Sequence, residues 1–108
     1  MATAYKVLGQ SIPAATTLTT LYTVPASTSA VGSTLTVCNQ GATTTVRVAV
    51  RPAGAAITGS QYIIYDNAVA AQDTLFLTIG IALATTDVVS VYAGTANVSF
   101  NLYGSEIT

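Results

Sequence analysis

Thr45-Val46-Arg47-Val48-Ala49-Val50-Arg51 alternates without a break: its three valines share one parity, and Arg47 and Arg51 share the other. Side chains of an extended strand point alternately to opposite faces. This stretch therefore reads as a strand with a buried valine face and an outward arginine face. The same period recurs further along. Leu75, Leu77 and Ile79 oppose Thr74, Phe76 and Thr78, and Val98, Phe100 and Leu102 oppose Asn97, Ser99, Asn101 and Tyr103. The run at 33–39 is less regular, with Leu35 and Val37 alternating against Thr34, Thr36 and Cys38.

Outward from that strand, turn residues divide the chain into eight short runs. Strands are expected at 5–9, 17–24, 33–39, 44–51, 61–65, 73–79, 87–92 and 97–103. They end at signals such as Pro25, Asn39-Gln40-Gly41, Pro52-Ala53-Gly54, Asp66-Asn67, Gly80, Ala93-Gly94 and Gly104. Twelve Val and 19 Thr residues supply the β-branched side chains that suit a pleated surface. Eight short strands at such spacing predict an all-β antiparallel sandwich, jelly-roll-like or immunoglobulin-like. The whole of 1–108 is expected to form one domain, with 1–15 as an extended N-terminal arm. The sequence leaves room for a helix only at 67–72, and for one turn at most. Asp73 and Asp87, each just before a strand, are expected to lock their turns by binding backbone N–H groups.

Composition narrows the function. Lys6, Arg47, Arg51, Asp66, Asp73, Asp87 and Glu106 are the only charged side chains, 6% of 108 residues, where about 25% is usual. There is no His and one Cys, Cys38, which is expected as a small half-buried strand residue. General acid–base chemistry, zinc ligation and phosphate-binding glycine loops all lack their residues, so no enzyme and no cofactor is expected. A net charge of −1 offers no electrostatic capture of nucleic acid. Mean hydropathy is +0.60, yet the longest apolar stretch, at 74–86, is too short to span a bilayer and holds Gly80 and four Thr. No membrane partner is expected, and the first residues do not match a secretory leader. Phe76, Tyr92 and Tyr103 fall on the non-core parity of their strands, as do Arg47 and Arg51. Aromatic residues and Arg are enriched at protein interfaces, so these five are the candidate subunit or partner interface.

Several stretches carry a resemblance. Leu21-Tyr22-Thr23-Val24-Pro25 followed by Thr34-Leu35-Thr36-Val37-Cys38-Asn39, then Val48-Ala49-Val50-Arg51-Pro52-Ala53-Gly54, form the first half. Gly80-Ile81-Ala82-Leu83-Ala84 with Asp87-Val88, and Val91-Tyr92-Ala93 through Ala96-Asn97-Val98-Ser99-Phe100-Asn101 to Gly104-Ser105-Glu106-Ile107, form the second. In order and spacing the chain resembles small virion structural proteins of tailed bacteriophages, especially phages of cyanobacteria. That resemblance implies a β-sandwich subunit of the virion that forms homo-oligomers, often trimers, and contacts other capsid, neck or tail-baseplate proteins. It transfers no catalytic residue. The alternative expectation is a receptor- or glycan-binding fibre-head module, which would expose aromatics beside polar side chains on loops.

Overall fold

A computed structural model describes residues 2–108; Met1, the first residue of the expected arm, lies outside them. All eight expected strands form: β1 Thr3–Ser11, β2 Thr19–Thr23, β3 Ser29–Asn39, β4 Thr44–Arg51, β5 Tyr62–Val69, β6 Thr74–Leu83, β7 Val88–Ala93 and β8 Val98–Ile107. Two short 3-10 turns, Pro52–Gly54 and Gly59–Gln61, lie between β4 and β5. The strands make two four-stranded antiparallel sheets, β1-β8-β3-β6 (sheet A) and β2-β7-β4-β5 (sheet B). Only the β4–β5 connection stays within a sheet; every other one crosses the sandwich. This interleaved order is the jelly roll and not the immunoglobulin arrangement.

The valine parity of β4 faces inward as its sequence requires. Val46 and Val48 are fully buried, packed with Val89 and Val91 of β7 and with Leu35, Val37, Val98, Phe100 and Leu102 from sheet A. Each such side chain removed from water contributes about 1.5–3 kcal/mol. This shared layer is what keeps the sheets together without a disulfide; Cys38 is free and half-buried. The N-terminal segment is not detached in this structure: β1 pairs with β8 of its own chain from Thr3↔Ile107 to Ser11↔Phe100.

Three sequence expectations change. No helical turn forms at 67–72, because β5 continues through Asp66-Asn67 to Val69. Asp66 takes a left-handed φ of 54° at a register shift against β4, so what reads as a turn is a bulge after which pairing resumes. Similarly, Gly80 and Gly104 do not end their strands, which run on to Leu83 and Ile107. A Cβ at Gly104 would collide with the Val31 carbonyl of β3. That glycine permits close strand approach rather than a turn.

The two aspartates do lock turns. Asp87 accepts from the Ala84 and Ala53 amides, both at 2.9 Å, and Asp73 accepts from the Thr74 amide at 2.9 Å. The turns they serve belong to a set of four that carry the chain between sheets, each with one left-handed residue: Thr16, Ser27, Gln72 and Thr86.

Candidate functional site

The five candidate interface residues do not form one patch. Arg47, Arg51 and Tyr92 lie on sheet B, and Phe76 and Tyr103 lie on sheet A, so the sandwich holds the two groups on separate sheets.

On sheet B, Arg47 is registered against Tyr92 of β7. Its guanidinium carbon sits 4.4 Å from the Tyr92 ring centroid and 4.3 Å from that of Tyr65 on β5, so the cation is held between two aromatic rings. Asp66 closes the arrangement from β5, accepting from Arg47 Nε at 2.6 Å and from Nη2 at 3.2 Å. A planar guanidinium fits both the ring faces and a two-point carboxylate bond, which lysine could not match. These hydrogen bonds hold the Asp66 carboxyl below its ordinary range and the Arg47 guanidinium above its own. The left-handed bulge at Asp66 is what brings Tyr65 and Asp66 to Arg47 together. Arg51 has a different role. It donates to Ala55 O at 2.8 Å, Gly54 O at 3.0 Å and Ser90 Oγ at 3.4 Å, fastening the Pro52–Gly54 turn to the sheet. Both arginines are thus engaged within their own chain.

Beside the stacked cation, Tyr65 meets Tyr62 at a centroid distance of 4.9 Å and an interplanar angle of 80°. The two rings, with Ile57, Thr58 and Gly59, line an open cleft of about 510 Å³. Sequence reasoning missed Tyr62, Tyr65 and Asp66. The available signal was a Tyr-Asp pair in the strand following the Arg47 strand, but two register shifts in the β4–β5 pairing conceal which residues meet.

Sheet A presents a different surface. Its outer rows run Phe76–Thr36–Asn101–Gln10 and Thr78–Thr34–Tyr103–Val7. Phe76 is 70% exposed and Tyr5, further along the same face, is 86% exposed. Among the described residues this face has no charged side chain. Arg47, Arg51 and Asp66 belong to sheet B, Asp73 and Asp87 to turns, and Lys6 and Glu106 to the rim. At that rim Glu106 accepts from Lys6 Nζ at 3.0 Å and from Tyr22 Oη at 2.5 Å. One edge of the sheet is β1, which carries Lys6; the other is β6, Thr74–Leu83, ten residues without a charge or a proline.

The geometry defines an eight-stranded jelly-roll sandwich with two chemically distinct outer faces, one neutral, the other bearing a stacked cation beside an aromatic cleft. No protein-family model, curated protein or solved structure matches the chain.

Proposed function

We propose that this chain is a non-enzymatic structural subunit of a bacteriophage virion, assembling through the outer face of sheet A with copies of itself, as a trimer, and with capsid, neck or tail-baseplate proteins. The observation that carries the reading is the neutral face around Phe76. Edge strands are ordinarily guarded by charge, proline or irregularity. One sheet B edge, β5, combines a charge, Asp66, with two register shifts, whereas β6 has no charge or proline among its ten residues and one register shift against β3. Large exposed apolar side chains on a surface without charges are inexpensive to desolvate and do not repel a neighbour. The resemblance to phage structural proteins supplies the particle. Jelly rolls recur in viral capsid domains, an argument by analogy of fold.

The non-enzymatic part of the proposal rests on a sequence without His and on carboxylates already engaged. Asp66 binds Arg47, Asp73 and Asp87 bind backbone amides, and Glu106 binds Lys6 and Tyr22.

Light scattering of the purified chain at micromolar concentration should give the mass of a trimer. Phe76→Ala and Phe76→Arg should shift it towards monomer, with folding stability changed by no more than about 0.5 kcal/mol, as expected of an exposed position. A parent chain that stays monomeric, or two variants that assemble as the parent does, would refute the assignment of this face.

A further inference from the structure

Tyr62 and Tyr65 form a corner of two nearly perpendicular rings, and the cleft they share with Ile57, Thr58 and Gly59 belongs to no part of the assembly face. We propose that this cleft is a binding site for a neutral sugar ring.

Three features of the site point to that ligand class. First, the walls are aromatic and aliphatic, and Tyr65 remains 59% exposed although Arg47 stacks on it. A pyranose has a C–H face that packs against such a ring, with hydroxyls around its perimeter. Second, the nearest charges cancel. Arg47 and Asp66 are bonded to each other at two points, so neither is left as counterion for a charged ligand. Third, hydrogen-bonding groups stand at the cleft on a loop that is already ordered. The Thr58 amide donates to Gln61 Oε1 at 2.9 Å, and the exposed hydroxyls of Thr58 and Ser60 lie 3.0 Å apart. Preorganisation of this kind lowers the entropy lost on binding. Arg47 acts here as a positioning residue, stacked on one face of Tyr65 and itself held by Tyr92 and Asp66. A polyproline peptide, the other ligand of tyrosine-lined surfaces, needs a groove several residues long. This cleft is built from one short segment, 57–65.

The test is an amide chemical-shift titration of the full chain with the methyl glycosides of glucose, galactose, mannose and N-acetylglucosamine, and with decaproline in parallel. At least one glycoside should shift the amides of 57–65 saturably, with an affinity near the millimolar range. Tyr65→Ala and Tyr62→Ala should each weaken it about tenfold or more. Tyr65→Phe should retain it, because the ring face is kept, and so should Phe76→Ala on the opposite sheet. A thermal melt of each variant shows whether the fold is intact. The inference fails if no glycoside shifts these amides, if folded Tyr65→Ala and Tyr62→Ala both bind as the parent does, or if decaproline alone occupies the cleft. Failure of trimer assembly leaves this experiment unaffected.

Discussion

Asn39 shows what a single polar residue can do in this core. It is buried at the end of β3, and its Nδ2 lies within bonding distance of Ala42 O at 2.8 Å, Val69 O at 3.1 Å and Ala70 O at 3.1 Å. Its Oδ1 accepts from the Gly41 amide at 3.0 Å. One side chain therefore closes its own turn and ties that turn to the end of β5, thirty residues away. Asn39→Ala would leave buried carbonyls without donors, since water cannot readily replace the amide. A loss of about 2 kcal/mol is expected, or roughly 8 °C in Tm for a domain of this size, measured by calorimetry. A change near zero would mean that solvent reaches the site. Local meaning was legible here: Asn39-Gln40-Gly41 reads as a strand end and is one. The long-range meaning was not, because nothing within the turn specifies which distant carbonyls will be brought to it. Arg47 illustrates the same limit. Its outward parity was apparent from the alternation in β4, but its partners Tyr65 and Asp66 depend on a bulge whose only sequence trace, Asp66-Asn67, resembles an ordinary turn.

Between elements, the strands were readable where alternation was clean and misread where glycine or aspartate served packing rather than reversal. β4 matches its expected limits, 44–51, whereas β5, β6 and β8 each run past a supposed terminator. Side-chain contacts between elements also set the response to pH. Glu106 on β8 joins β1 through Lys6 and β2 through Tyr22, and so links the two sheets at one end. The Tyr22 hydrogen bond, followed by that of Lys6, holds the Glu106 carboxyl below its ordinary value. A carboxyl depressed in the folded state stabilises the fold above its unfolded pKa, and that contribution is lost as pH falls through the folded value. Tyr22 behaves in the opposite sense. Burial, then the hydrogen bond to Glu106 and its charge, raise its phenol, so its contribution is intact below about pH 10 and declines as pH rises beyond it. The β1–β8–β2 junction is therefore strongest between the two limits. Denaturant titrations across pH should show stability declining below about pH 4 and again above about pH 10. Glu106→Gln should reduce the acid limb, leaving the slope that Asp66 supplies through Arg47. An acid limb unchanged in Glu106→Gln would show that this junction does not govern acid stability.

At the scale of the molecule, the scarcity of charge matters less than its placement. Seven charged groups are enough to mark one face by their absence. Two lie at the rim, three on sheet B and two in turns, and the outer face of sheet A has none among the described residues. This partition is a property of the topology. Interleaving β1, β8, β3 and β6 in one sheet collects the neutral outward parities of Thr34, Thr36, Phe76 and Asn101, which are scattered along the sequence, into adjacent rows. If copies associate through that surface, the attraction is apolar and its dependence on ionic strength is small. The Debye length contracts from about 30 Å at about 0.01 M salt to about 3 Å at about 1 M, which weakens associations built on exposed ion pairs. Salting-out anions such as sulfate strengthen apolar burial instead. Sedimentation equilibrium over that range of sodium chloride should therefore give an association constant that stays level, and sodium sulfate at equal ionic strength should raise it. An association constant that falls tenfold or more across the chloride series would move the contact to sheet B. There, Arg47 and Asp66 are the charges that could exchange their mutual bond for one to a neighbouring copy.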